Sequence, residues 1–311
     1  MPRPPEARLL RTLVLLAGLL GALPIASCGT LLGEEEEPEL ALPVLEGAAL
    51  KNVFEVAETA LAEENYEVAR NNFGRILVGA PMNARARLGL AEVHLATGRV
   101  DQAITTFKAL EQERSVRARA RQGRGIGLLF KGEVEEATRT LKRAVANDPS
   151  LWRAWNGLGQ AYDIQHHWDK AEQSYAKALA ANPGSAIVLN NMGASLLMQK
   201  DYAGAAGSFS KALKIQPDFD QAESNLRLAL AWQGKYAEAL AGASRRELPS
   251  VLNNIGYVAI LRGDYERAEA LLSQAMEASP SFNEKAWENI RYLESIRSIQ
   301  KSQAEKGDGA R

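Results

Sequence analysis

A single cysteine, Cys28, stands among 311 residues, so the chain cannot form an internal disulfide. A lone thiol can fill an apolar space, act as a nucleophile or serve as a point of chemical attachment. Arginines precede it at positions 3, 8 and 11, and residues 13–26 carry no charge. That run is shorter than the roughly 20 apolar residues of a membrane-spanning helix. A basic start, a short apolar run and then small residues predict an export signal over residues 1–27, with a buried helix as the alternative.

The residues Ile25-Ala26-Ser27-Cys28 resemble the lipobox of bacterial lipoproteins. This resemblance implies that the signal is removed before Cys28, that the sulfur receives a diacylglyceryl group and that the new amino group is acylated. Several acyl chains hold a protein firmly at a membrane, whereas one holds it weakly. Gly29, where an aspartate would imply the inner membrane, implies the outer membrane, and we expect its periplasmic face. The alternative is an ordinary signal with a cysteine near its cleavage site by chance.

The charge of the chain gives no reason to expect a nucleic acid partner. The formal net charge is −1, and removing residues 1–27 makes the remainder more negative. Nucleic acid binding usually needs a basic face. Residues 28–49 contain four adjacent glutamates, Glu34 to Glu37, and two prolines. Such a stretch is typical of a solvated tether, with a short helix as the alternative for its acidic part.

A pattern of small and large residues recurs every 34 residues. The clearest copy contains Trp155, Gly159, Tyr175 and Pro183, and the same columns next hold Leu189, Gly193, Phe209 and Pro217. Small residues allow the two helices of a hairpin to approach, and large ones fill the space between hairpins. Proline prevents the second helix from continuing. One hairpin cannot bury its apolar face, but a stack of hairpins can.

These columns resemble the tetratricopeptide repeat. The resemblance implies an all-α fold, a right-handed α-solenoid of about seven helical hairpins over residues 50–282. The predicted repeats span 50–83, 84–117, 118–151, 152–185, 186–219, 220–248 and 249–282. The sixth is shorter than the others, so its second helix should be short. A capping helix over 283–300, with a stripe of Trp287, Ile290, Leu293 and Ile296, and a disordered tail over 301–311 should follow.

The repeats leave no stretch for an enzyme domain, so we expect no catalytic residue and no cofactor beyond the lipid on Cys28. His166 and His167 lie with Trp168 in a predicted turn. A histidine pair without a third ligand is weak evidence for a metal, and a plain exposed turn is the favoured interpretation. His94 falls in a helix-packing column.

Asparagines recur in two adjacent columns of the repeats. The fifth position holds Asn156, Asn190 and Asn253, and the sixth holds Asn191, Asn225 and Asn254. In the tetratricopeptide family these positions lie on the first helix, which lines the concave groove. An amide both donates and accepts hydrogen bonds, so a series of amides can hold the backbone of a peptide. The alternative is that these amides tie neighbouring helices together.

Arginines form a second recurrent feature. Arg85, Arg119 and Arg153 share the second column and would form a basic stripe at one end of the groove, suited to an acidic segment. Arg119 belongs to a basic run with Arg114, Arg117, Arg121 and Arg124, and Arg85, Arg87 and Arg153 lie in the flanking repeats. The equally favoured alternative is a solvated face that pairs locally with Glu111 and Glu113.

The C-terminal part, with the short repeat before it, is similar to the repeat-containing lipoproteins of the tight-adherence (Tad/Flp) pilus assembly system. The specific resemblance covers residues 245–293. It implies a pilotin-like protein that binds the outer-membrane secretin or another pilus assembly protein. The alternative is an envelope scaffold for cell-wall hydrolases or for outer-membrane barrel assembly.

Overall fold

The computed structural model describes residues 45–308, so the predicted export signal, Cys28 and most of the tether lie outside the described residues. Every regular element among residues 45–308 is a helix, which confirms the all-α fold built from tandem hairpins. The fifteen helices of this region, α1 to α15, are Gly47–Ala62, Tyr66–Gly79, Ala84–Ala96, Val100–Leu110, Arg117–Phe130, Val134–Asn147, Trp152–Ile164, Trp168–Ala181, Ala186–Met198, Tyr202–Ile215, Asp220–Trp232, Tyr236–Leu240, Leu248–Arg262, Tyr265–Ala278 and Glu284–Asp308. None of them combines the length and hydropathy that a membrane span needs.

The chain forms two compact units, of which the first ends at Asn191 and the second begins at Met192. Within the first unit, α1 to α8 form four antiparallel hairpins, and each hairpin contacts the next. Within the second unit, α13 packs against α14, and α15 packs against both. Each unit therefore has its own stack of hairpins, and the first helices of successive hairpins are neighbours.

Close approach within each hairpin depends on a glycine that faces one large side chain. A Cβ added to Gly159 on α7 would lie 2.5 Å from Cε1 of Tyr175 on α8. A Cβ added to Gly125 would likewise clash with the Leu141 side chain, and in the second unit a Cβ added to Gly193 would clash with Phe209. The hydroxyl of Tyr175 is also buried and donates to Asp163 Oδ2 at 2.7 Å. The small and large columns of the sequence are thus partners across one hairpin.

The sixth hairpin departs from this arrangement, as its length predicts. Its second helix, α12, has five residues, whereas the other second helices have 11 to 14. Arg227 takes the glycine column of this repeat, and the large residue that would face it is missing because Ala243 lies beyond the end of α12. The Arg227 side chain is buried and its Nη1 donates to the carbonyl oxygen of Ala239 at 3.1 Å.

The C-terminal helix differs from expectation in two respects. It continues to Asp308, although we expected residues 301–311 to be disordered; the stretch 301–306 contains no glycine or proline and consists mostly of helix-forming residues. Within the predicted apolar stripe, Leu293 is buried and Ile290 and Ile296 pack against the core. Trp287 is instead 40% exposed, and Ala286 takes the buried position.

Candidate functional site

The asparagine columns lie on the first helices, and five of their six members are buried. Asn156, Asn190, Asn191, Asn225 and Asn253 are each at most 9% exposed, whereas Asn254 is exposed. Asn191 Nδ2 on α9 donates to Asn156 Oδ1 on α7 at 3.1 Å. This bond joins the first helices of two successive hairpins. This geometry agrees with the alternative interpretation, in which the asparagine amides tie neighbouring helices together.

A second amide bridge lies in the other unit. Asn289 Nδ2 on α15 donates to Asn253 Oδ1 on α13 at 2.9 Å, and Asn253 Nδ2 lies 3.4 Å from Asn254 Oδ1. The bridge joins the first helix of the last hairpin to the C-terminal helix that packs against it. Sequence reasoning missed Asn289 because α15 was not counted as a repeat. Peptide binding by these amides stays a prediction.

Asn254 is the member of the set whose amide is accessible to a ligand. Its Oδ1 is occupied by Asn253, and no described residue accepts a hydrogen bond from its Nδ2. Tyr257 follows one helical turn later on the same face of α13. Its ring centroid is 6.5 Å from that of Tyr292 on α15, which is 37% exposed. An exposed amide one helical turn from an aromatic pair can bind peptide backbone and apolar side chains together.

The three arginines of the basic stripe occupy the first helices of successive hairpins, but two of them are paired. Arg85 makes a bidentate contact with Glu58, with Nε–Oε1 and Nη2–Oε2 distances of 2.7 and 2.6 Å. Arg119 Nη2 lies 3.5 Å from Glu92 Oε1. Arg153 is exposed and forms no ion pair with a described residue. Selection of an acidic segment by this column stays a prediction, and Arg153 is the member free to take part.

The adjacent basic run pairs locally around Glu111. Arg121 Nε and Arg124 Nη1 lie 3.2 and 2.6 Å from the two oxygens of the Glu111 carboxylate. Arg124 also contacts Glu136, and Arg117 Nε donates to the Glu111 carbonyl oxygen at 2.8 Å. This part of the run therefore holds α4, α5 and α6 together.

The histidines are placed as the sequence predicts. His166 and His167 are exposed in the turn before α8. No cluster of three or more metal-ligating side chains lies within residues 45–308. His94 is buried, and its Nδ1 has no hydrogen-bond partner. Burial lowers the pKa of His94, and the nearby charges of Arg99 and Arg70 lower it further.

Family models of the tetratricopeptide repeat match residues 60–124, 123–165, 164–220 and 249–282, which together are more than half of the chain. The chain belongs to the tetratricopeptide repeat family. The gap between the matches, residues 221–248, contains the short helix α12. Every matching family model is a repeat model rather than an enzyme model.

Two solved structures have the same fold as this tetratricopeptide repeat protein. The crystal structure of the APC/C hetero-tetramer Cut9-Hcn1 matches with a TM-score of 0.57 and 15% identity, over 78% of this chain and 52% of that one. The tetratricopeptide repeat protein TTC0263 from Thermus thermophilus matches with a TM-score of 0.51 and 23% identity, over 62% of this chain and 99% of that one. A comparison with curated proteins finds no match.

Proposed function

We propose that this protein is a lipid-anchored scaffold of the bacterial envelope that binds a segment of a pilus secretin and assists secretin assembly. Tetratricopeptide repeats bind peptides or protein partners, and this chain is built from them. The observation that carries the binding role is the exposed amide of Asn254, one helical turn before Tyr257, whose ring lies near that of Tyr292. The Ile25-to-Cys28 motif supports the anchor, and the resemblance over residues 245–293 supports the pilus partner.

The anchor and the groove would act together on a partner that is prone to aggregate. Several acyl chains would hold the protein at the outer membrane and raise its effective concentration near other envelope proteins. A secretin subunit must reach that membrane before its strand edges pair with other chains. A tethered surface that binds one segment of the subunit suits this need without any catalytic step.

The anchor is tested by metabolic labelling of cells with radioactive palmitate. Wild-type protein should take up label and fractionate with the outer membrane, and Cys28→Ser should do neither. Ser27→Ala is the matched control, because it changes the preceding residue and leaves the thiol in place. A wild-type protein that takes up no label, or a Cys28→Ser variant that still does, would contradict the anchor.

The binding surface is tested with overlapping peptides of the secretin from the same organism. Asn254→Ala should weaken the tightest peptide by about twofold to tenfold, since one hydrogen bond contributes about 0.5–1.5 kcal/mol. Tyr292→Ala should weaken it as well, because it removes an aromatic contact. Asn71→Ala, which changes an exposed asparagine on α2, should bind as the wild type does. Equal affinity for all four proteins would remove this surface from the proposal.

The pilus role is tested by deletion of the gene. Loss of secretin multimers and of surface pili, both restored by the wild-type gene, is the expected result. If multimers and pili persist while cell-wall or outer-membrane barrel defects appear, the protein serves as an envelope scaffold instead. Complementation with Asn254→Ala separates the binding surface from the anchor, because that variant should still be lipidated.

A further inference from the structure

A cleft of about 320 Å³ lies between α12 and α14 in the second unit, and its lining includes none of the asparagines of the two columns. One wall is a single face of α14 that includes Arg267, Ala270, Leu271 and Gln274, spaced as successive turns of a helix. The opposite wall comes from α12 and the turn before it, and ends at Leu240. The cleft exists because α12 has five residues where α14 has 14.

The walls of the cleft are held by specific contacts. Arg227 reaches the end of α12 from α11 and donates to the carbonyl oxygen of Ala239. At the start of α12 the hydroxyl of Tyr236 contacts Asp264, and Arg262 Nε donates to that hydroxyl at 3.2 Å. The burial of Tyr236 and its bond to Asp264 raise the pKa of the hydroxyl to about 12. A short helix fixed at both ends makes a pre-formed site rather than a packing defect.

The rim of the cleft carries cations that have no partner among the described residues. Lys235 and Arg267 line the cleft, are exposed and form no ion pair with any residue of the described region. Arg245 and Arg246 follow in the loop after α12; they do not line the cleft, but they are also exposed and form no ion pair within that region. Glu238 also lines the cleft, and Asp264 contacts the lining residue Tyr236 and is paired with Arg262. The apolar part of the lining consists of Ala270, Leu271, Leu240 and Ala237.

We infer that the acidic segment 31–42 of a neighbouring copy of this chain docks in the cleft. The segment contains the one run of four adjacent glutamates in the sequence, a fifth glutamate, four leucines and no lysine or arginine. Its carboxylates are complementary to the unpaired Lys235 and Arg267, and its leucines are complementary to the apolar part of the lining. Single exposed ion pairs contribute little, so several pairs and the apolar contacts must act together. The inference rests on the proposed lipid anchor, which would hold neighbouring copies at one membrane surface and raise their effective concentration.

The test uses a fluorescent peptide of residues 29–44 and measures its anisotropy on binding. The receptor is the proposed mature chain, residues 28–311 with Cys28→Ser, in which Glu34 to Glu37 are changed to Gln so that its own segment does not compete. The peptide should bind, and its affinity should fall with added salt. Lys235→Glu with Arg267→Glu should reduce the affinity at least about tenfold, as should Gln in place of the four glutamates of the peptide.

A matched control distinguishes the cleft from general charge. Lys170→Glu changes an exposed lysine on α8 that has the same register as Arg267 on α14, and it should leave the affinity unchanged. Circular dichroism should be the same for every receptor. No binding of the peptide, equal binding of the Gln peptide, or an equal loss with Lys170→Glu overturns the inference.

Self-association of the chain provides a second test of the inference. In sedimentation, residues 28–311 with Cys28→Ser should associate as concentration rises, and the form with Gln at positions 34–37 should remain monomeric. Association that survives the Gln changes also overturns the inference. Asn254→Ala should not affect either measurement, so failure here and failure of the proposed secretin binding remain distinguishable.

Discussion

Arg227 on α11 donates a hydrogen bond from Nη1 to the carbonyl oxygen of Ala239 on α12, at 3.1 Å. The second terminal nitrogen of the guanidinium, Nη2, donates to Glu223 one turn earlier on the same helix. The guanidinium thus satisfies a carbonyl near the end of a helix that stops after five residues, and its charge opposes the negative end of the helix dipole. The Arg227 side chain therefore supplies a hydrogen-bond donor where the shortened helix leaves a backbone carbonyl without one.

Arg227→Leu should lower the free energy of unfolding by about 1.5–3 kcal/mol, the usual contribution of a hydrogen bond to a charged group. Leucine keeps the apolar contacts of the stem and removes both polar contacts. Urea unfolding followed by circular dichroism measures the change. Arg246→Leu, an exposed position in the next loop, should stay within about 0.5 kcal/mol of the wild type. Equal unfolding of Arg227→Leu and the wild type would show that the bond to Ala239 is not needed.

Two glycines of the first unit should respond to alanine with opposite signs. Gly159→Ala places a methyl group 2.5 Å from Tyr175 Cε1, and Tyr175 is 1% exposed, so it has no room to move. Overpacking of this kind costs about 1–3 kcal/mol. Gly74→Ala on α2 meets no atom within 4 Å and should stabilise the protein by about 0.5–1 kcal/mol through helix propensity. Thermal unfolding of the two variants checks both signs, and a shift in the same direction for both contradicts the packing role of Gly159.

The hairpins could be predicted from the sequence because each repeat carries the same small and large columns. Gly159 and Tyr175 are 16 residues apart and belong to one hairpin, so the pattern itself pairs them. The shortness of α12 followed from the reduced repeat length. The contact of Arg227 could not be predicted, because its acceptor is a backbone carbonyl and leaves no mark on the side-chain pattern.

The asparagine columns were visible in the sequence, but their burial was not. Whether Asn191 points to a groove or to a neighbouring helix depends on a rotation of the helix that repeat spacing does not specify. The partner Asn156 is 35 residues earlier, one more than the repeat length, so the pair does not share a column. Trp287 shows the same limit, since a stripe of helical period fits either Ala286 or Trp287 as its first member.

His94 should make the stability of the protein sensitive to mild acid. Its pKa in the folded state lies below the ordinary value of about 6.5, chiefly because it is buried. As the pH falls below about 6.5, His94 gains a proton in the unfolded chain but not in the folded protein. The free energy of unfolding therefore decreases with falling pH until the pH reaches the folded-state pKa. One proton changes the free energy of unfolding by at most about 1.4 kcal/mol per pH unit.

The measurement for His94 is urea unfolding at neutral pH and at about pH 5, for the wild type and for His94→Leu. Leucine occupies the same column in the third and fifth repeats, at Leu128 and Leu196. The variant should lose less stability than the wild type between the two pH values. His167→Gln, an exposed histidine, should follow the wild type. Parallel losses in wild type and His94→Leu would assign the acid sensitivity to other groups.

The amide pair of Asn156 and Asn191 should be energetically coupled in the folded protein. Each single change to Ala leaves one buried amide without its partner, which costs about 1–3 kcal/mol, while the double change removes both groups. A double-mutant cycle on the free energy of unfolding should therefore give a coupling of about 0.5–1.5 kcal/mol. The pair Asn156 and Asn71 should be additive, because Asn71 is an exposed residue on α2.

The same cycle separates packing from recognition across the asparagine columns. If coupling is present, Asn191→Ala should lower the apparent affinity for the partner only by the fraction of the protein that the substitution unfolds. Asn254→Ala should then reduce affinity with little change in stability, since its side chain is exposed. A coupling near zero for Asn156 and Asn191, together with a loss of affinity in Asn191→Ala at unchanged stability, would instead place the buried amides in the binding surface.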